Sequence, residues 1–234
     1  MENMKKIGLI FASICLSLAF TACDEGDIHE SIPAPTSTGR VFKLSANIVG
    51  ADTWPSQYAV VMACFTADDQ AVMQKRLPEG ASGAITEVMS LPDTVQLQTV
   101  ELCVTNRLRH RVMTYAVADV PSQSGDTVRL DAGAVDLSMY SYIQTSIFTP
   151  LCATCHRAGS STTLELAEGL SYESLVGHAA NHAEDGVRVV PRRVSASLLH
   201  RVLSGDATTS VPFDHSPMLR SDQLELIDNW IKNL

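Results

Sequence analysis

The sequence predicts a multidomain chain, with an all-β part over residues 40–135 followed by a smaller helical part over residues 136–234. Three observations carry that prediction. Short apolar runs with β-branched residues recur between Arg40 and Val135, separated by Pro, Gly, Asn and Asp. The spacing of apolar residues then lengthens from two to about four beyond Asp136. Finally, 45% of the 234 residues are hydrophobic, enough for a real core.

The chain opens with an export address. Lys5 and Lys6 precede an apolar run from Ile7 to Phe20, and the small residues Thr21 and Ala22 lead to Cys23. The run is too short to span a bilayer comfortably. Phe20-Thr21-Ala22-Cys23 resembles a bacterial lipoprotein cleavage box, with Phe20 in place of the usual aliphatic residue. The resemblance implies that residues 1–22 are a signal peptide and that the Cys23 thiol is lipidated. The mature protein would then be anchored to a membrane of the cell envelope. Cleavage elsewhere as an ordinary signal peptide is the alternative. Residues 23–39 read as a tether: Asp24, Glu25, Asp27 and Glu30 are acidic, and Ser31 to Gly39 is rich in Pro, Ser and Thr.

Residues 40–135 read as a β-sandwich, with an immunoglobulin-like arrangement as one form of it. Val41–Val49 partly alternates, and Tyr58–Phe65 is a continuous apolar run suited to a central strand. Ala84–Ser90, Val95–Thr105, Val112–Ala118 and Thr127–Asp131 are further strand candidates, whereas Gln70–Leu77 also suits a short helix. Turn signals fall at Pro78-Glu79-Gly80, Pro92-Asp93, Asn106 and Ser122 to Asp126. Cys64 and Cys103 lie in predicted strands. Export permits a disulfide between them, and two buried free thiols are the equal alternative. No catalytic constellation stands out here, and His110, between Arg109 and Arg111, reads as a solvated edge.

Beyond Asp136, Met139, Ile143, Ile147 and Leu151 mark a helical face, which Pro150 distorts or ends. Short helices are expected over 171–176, with Ser171 as a possible N-cap, and over 195–203. A last helix follows Ser221, with Leu224, Ile227, Ile231 and Leu234 on its apolar face. Trp230 flanks that face as plain core.

Between the first two helices stands Cys152-Ala153-Thr154-Cys155-His156, the C-x-x-C-H attachment signature of a c-type haem. Two thiols three positions apart can form thioethers with the two vinyl groups on one edge of a haem, and the next residue supplies an imidazole for the iron. The same residues suit two other chemistries. Cys152 and Cys155 can close a local disulfide, or they can bind zinc together with His178 and His182. Export favours haem.

The order Cys152–His156, Leu164-Glu165-Leu166, Tyr172, Leu175, Val176, Val189-Val190-Pro191, Ser197–Val202 and Leu224–Ile231 resembles the planctomycete-type single-haem cytochrome c domain. The resemblance covers about Ile143 to Ile231 and not the β part. It implies a small all-α cytochrome c domain over 136–234, covalent haem at Cys152 and Cys155, His156 as proximal iron ligand and a later methionine as distal ligand. Two positions depart from the family pattern. Arg192-Arg193 follows Pro191 where Pro-Gly is usual, and Val211-Pro212 stands where Met-Pro is usual. Met218 is the only methionine after the motif and becomes the distal candidate, with His215 its rival.

The function expected is a membrane-tethered carrier of single electrons between exported redox partner proteins. A haem peroxidase using His178, His182, His200 or His215 as acid–base group is one alternative. A haem-free binding lipoprotein is another. Nucleic acid is not an expected partner: the formal charge is −9, and loss of residues 1–22 leaves 15 basic and 25 acidic side chains, a charge of −10. The densest basic cluster is Arg188, Arg192, Arg193 and Arg201.

Overall fold

The computed structural model describes residues 39–92, 95–122, 127–160 and 163–234. The signal peptide, Cys23, almost all of the tether and most of the Ser122–Asp126 turn lie outside the described residues.

Among the described residues, seven strands form two sheets. β1 (Gly39–Val49) lies between β4 (Gly83–Pro92) and β7 (Val128–Asp136), antiparallel to the first and parallel to the second. The second sheet runs β3 (Ala71–Arg76), β2 (Tyr58–Phe65), β5 (Thr99–Asn106), β6 (Arg111–Asp119), all antiparallel. This distribution differs from the immunoglobulin constant arrangement, in which the first, second, fourth and fifth strands share a sheet. Alternation decides which side chains meet between the sheets: Phe42, Leu44, Ala46 and Ile48 from β1, Val60, Met62 and Cys64 from β2, and Val100, Leu102 and Val104 from β5 are all buried there.

The segment 70–77 is mainly the strand β3, not a helix. Its Ala, Met, Gln, Lys and Arg favour a helix in isolation. They are tolerated at this sheet edge, where only one side needs a partner, and Lys75 and Arg76 keep the edge soluble.

Cys64 and Cys103 are both buried and both free. Cys64 is paired in register with Val100 and Cys103 with Val61, so the thiols project from opposite faces of one sheet. Cys64 faces the sandwich core, and Cys103 belongs to a smaller outer cluster with Val61, Ala63 and Phe65. The pairing excludes a disulfide.

The expectation of a separate all-α domain is overturned. Residues Gly39–Leu234 form one compact unit. The helices are few and short: α1 (Met139–Ile143), a π-helical stretch (Gln144–Cys152), α2 (Ser171–Leu175), α3 (Leu198–Leu203) and α4 (Ser221–Lys232), with single 3-10 turns between. Helices of five or six residues cannot enclose a core. Met139, Ile143, Ile147, Phe148, Leu226, Ile227, Trp230 and Ile231 instead join the same buried cluster as the strands. The seam is fixed by polar bonds. The Trp54 indole N–H and the Tyr115 hydroxyl both donate to the Leu137 carbonyl, at 2.6 and 3.0 Å. The Met139 N–H donates to Thr53 Oγ1 at 2.8 Å, and Asn229 Nδ2 donates to the Tyr58 hydroxyl at 3.2 Å. Among the described residues no helix is long and apolar enough to cross a membrane.

Candidate functional site

The cysteine motif sits where the π-helical stretch runs out. Pro150 has no N–H to give to that helix, and the Ala153 N–H closes the last wide turn on the Phe148 carbonyl at 2.8 Å. The chain then tightens. The Cys155 and His156 N–H groups both donate to the Cys152 carbonyl, at 3.2 and 3.0 Å. One turn therefore sets Cys152, Cys155 and His156 together.

The thiols differ in setting. Cys152 is half-buried and its Sγ lies 3.8 Å from the Ile147 carbonyl, whereas Cys155 is exposed. Both are free. Burial, with Cys155 adding to it, pushes the Cys152 thiol up to about 11.

His156 is held from behind. The Leu166 N–H donates to its carbonyl at 2.7 Å, and the Leu166 carbonyl in turn accepts from Gln144 Nε2 at 2.9 Å. Gln144 is itself buried, and Ser171 donates its hydroxyl proton to Gln144 Oε1. Tyr140 must then be the donor in its 2.5 Å bond to Ser171, because the serine has one proton. Ser171 is thus a member of a buried network at the start of α2 rather than a helix cap. The network joins α1, the π-helical stretch and α2 behind the histidine. His156 is held below its usual proton affinity by burial first, with His215 and Arg188 adding repulsion and a hydrogen bond with the Leu164 backbone opposing.

The side chain set against His156 is His215. The two rings lie 6.0 Å apart between centres, tilted by 36°. His215 Nδ1 is 2.8 Å from the Phe213 carbonyl, which can only accept, so Nδ1 carries a proton there and Nε2 is the ring nitrogen left for another partner. Met218 ends the 3-10 turn Ser216–Met218, and its N–H donates to the His215 carbonyl at 3.0 Å. Its side chain is 39% exposed, and that of Phe213, edge-on to the His215 ring, is 61% exposed.

No family model, curated protein or solved structure matches the chain.

The other histidines are dispersed. His178 and His182 are exposed, with His178 Nδ1 against the neighbouring Ala179 carbonyl, and His200 Nδ1 is 2.7 Å from Asp228 Oδ1. Among the described residues no three His, Cys, Asp or Glu side chains converge to hold a metal ion, so the set Cys152, Cys155, His178 and His182 is not assembled. The four arginines of the C-terminal part do not form a patch either. Arg201 is bound to Asp206, Arg192 donates to the Leu234 carbonyl, and Arg188 is buried.

The donor set fits a c-type haem. Two uncrosslinked thiols stand one turn apart beside an imidazole. The His156 and His215 rings lie near one another, 6.0 Å between centres. Phe213 and Met218 offer exposed apolar surface beside the pair, of the kind a macrocycle would cover. The Gln144–Ser171–Tyr140 network behind His156 joins residues 27 and 31 positions apart, and sequence spacing gave no signal for it.

Proposed function

We propose that the protein is an exported, membrane-tethered carrier of single electrons. It would hold one haem covalently and exchange electrons with exported redox partner proteins. The observation that carries this reading is the turn Cys152–His156, with two free thiols of graded exposure and an imidazole facing that of His215. Haem supplies one-electron chemistry by cycling its iron between ferrous and ferric states.

The chain's own residues have separable roles. Cys152 and Cys155 would hold the haem through thioethers to its two vinyl groups. His156 would be the proximal iron ligand, oriented through its backbone by Leu166 and the Gln144–Ser171–Tyr140 network. His215 would supply a second imidazole to the iron, because its ring lies 6.0 Å from that of His156 and its Nδ1–H is already committed to Phe213. Met218 is the competing ligand, on the same turn. Cys23 carries the lipid that keeps the protein at the envelope membrane.

Haem staining of denatured protein, made alongside a haem-attachment system, is the direct test. One haem per chain is expected, lost when Cys152 and Cys155 are both changed to Ser. Absence of stain from the unaltered protein refutes the reading. His215→Ala beside Met218→Ala then identifies the opposite ligand. His215→Ala is expected to change the spectrum and Met218→Ala to leave it, whereas loss of a methionine–iron charge-transfer band in Met218→Ala reverses the assignment.

A further inference from the structure

A cavity of about 370 Å³ opens where the sandwich meets the helices, large enough for a small ligand. Four aromatic rings line it: Trp54 from the sandwich side, Tyr140 in α1, Tyr172 in α2 and Trp230 in α4. The Tyr140 ring centre lies 5.1 Å from that of Tyr172 and 5.0 Å from that of Trp230, and Tyr172 lies 6.3 Å from Trp230. These three rings are inclined to one another by 38–90°, so they form a corner and not a flat plate. The turn Cys152–His156 and His215 are not among the walls.

Most hydrogen-bonding groups of the wall are spent elsewhere. The Trp54 indole N–H goes to the Leu137 carbonyl, and the Tyr140 hydroxyl goes to Ser171. Thr53 donates to the Gly50 carbonyl at 2.8 Å, and Asn233 Nδ2 donates to the Asn229 carbonyl at 2.6 Å. Asp52 differs. It is exposed, on the 3-10 turn Ala51–Thr53, and its carboxylate has no ion pair or hydrogen bond among the described residues. None of the described wall residues is Lys, Arg or His. Arg192 donates to the carbonyl of Leu234 but is not itself part of the wall.

The wall therefore offers mainly ring surface and one carboxylate. A sugar would need directional partners for several hydroxyls, and a polar group buried without one costs free energy. An anion would meet Asp52 with no cation beside it. An organic cation needs neither: the ring quadrupoles attract it, and the carboxylate adds charge.

We infer that this cavity binds a quaternary ammonium group, held against the rings of Tyr172 and Trp230 with Asp52 as its counter-charge. The inference is independent of the haem reading.

Trp54 and Trp230 are the two tryptophans of the chain and both line the cavity, so intrinsic emission reports its occupancy. Choline chloride and tetramethylammonium chloride are titrated into the unaltered protein, with sodium chloride at equal ionic strength as the control. The uncharged isostere of choline, 3,3-dimethylbutan-1-ol, and methyl glucoside are titrated in parallel. A saturable change with both ammonium ions is expected, with the alcohol bound about tenfold more weakly. Asp52→Asn should weaken choline binding about tenfold and leave the alcohol unchanged, and Tyr172→Ala should weaken choline by a similar factor. Both side chains are exposed, so both variants should melt as the unaltered protein does. If either variant does not fold, the other variant and the choline-to-alcohol ratio decide. Phosphatidylcholine vesicles, mixed with the Cys23→Ser chain, separate the two sources of the group. Sedimentation with the vesicles that choline reverses assigns a lipid headgroup, whereas choline binding without vesicle binding assigns a soluble amine. Equal affinity for choline and the alcohol shows an apolar cavity and overturns the inference. So do tighter binding of methyl glucoside and unchanged choline affinity in either folded variant. An emission unmoved at about 10 mM choline, where a millimolar Kd would be well past half saturation, overturns it as well.

Discussion

The sheet β3-β2-β5-β6 and the segment from Gln144 to Leu219 treat their polar groups in opposite ways. On the sheet, Glu101 is 3% exposed, yet its carboxylate receives Thr99, Thr114 and two nitrogens of Arg111 at 2.6–2.9 Å. Arg111 also reaches Asp69 and covers the Phe65 ring at 4.2 Å. The charges of Glu101, Arg111 and Asp69 answer one another. In the other region two thiols are free, His215 Nδ1 meets a backbone carbonyl, and the buried Arg188 guanidinium donates to neutral oxygens of Ser174, Thr163 and Asn181. A self-satisfied network specifies a fold, whereas one with donors left over specifies a ligand.

The two regions nevertheless share a core, and separating them is the harshest test of that. A fragment from Asp136 to Leu234 would expose the faces of Leu137, Met139, Ile143 and Ile227, which are buried against or alongside the sandwich. It is expected to show no cooperative thermal transition, while the chain from Gly39 onward melts once. A fragment that melts cooperatively would restore the independent helical domain.

That outcome bears on what the sequence makes legible. The strand Tyr58–Phe65 is visible because a run buried on both faces is apolar throughout. The edge strand β3 is hidden because its residues prefer helix and only its neighbour β2 decides otherwise. The motif Cys152–His156 is legible because its chemistry is local. The approach of His215 to His156 depends on how the chain returns across 59 residues, through α2 and α3, and spacing does not report it. Nor does the shared core announce itself: the period of Met139, Ile143 and Ile147 shows an apolar face, not what covers it.

Within the sandwich, Arg111→Ala should be the most costly single change. It leaves Glu101 buried with only two hydroxyl donors, and removing one partner of a buried pair typically costs about 3–5 kcal/mol. Arg111 is partly exposed, so the lower end is expected in chemical denaturation. A loss under about 1 kcal/mol would mean that the network does not specify the sheet as argued.

At the seam, Gly50→Ala should cost less but still measurably. Gly50 has φ +73, and a Cβ there would stand 2.7 Å from Ser138 Cβ and 2.8 Å from its backbone nitrogen. The left-handed backbone alone costs roughly 1–3 kcal/mol, and the clash pushes against the start of α1. If the two regions share one core, the melting temperature should fall as a single transition. Two resolved transitions would show that they unfold separately.

The mildest test leaves the fold intact and asks only about thiols. The apoprotein from Gly39 onward has Cys64, Cys103, Cys152 and Cys155. Thiolate is the reactive species, so pKa and exposure both count. Burial pushes Cys64 up to about 12, and it pushes Cys103 further, with Glu101 adding and Arg111 opposing. At pH 8 an alkylating reagent should label Cys155 first and Cys152 more slowly, while the two sheet thiols wait for unfolding. The same shifts give stability a sign. Between the ordinary thiol value near 9 and about 12, the unfolded chain has lost protons that the folded sheet retains. Stability contributed by Cys64 and Cys103 is therefore complete below pH 9 and declines as pH rises. A denaturation midpoint that holds constant from pH 7 to 8 and drops from pH 9 to 11 fits this. Replacing Cys64 by Ala should flatten part of the alkaline drop. Rapid labelling of Cys103 in the folded protein would break the contrast, because the outer face of the sheet would then be open, like the turn that carries Cys155.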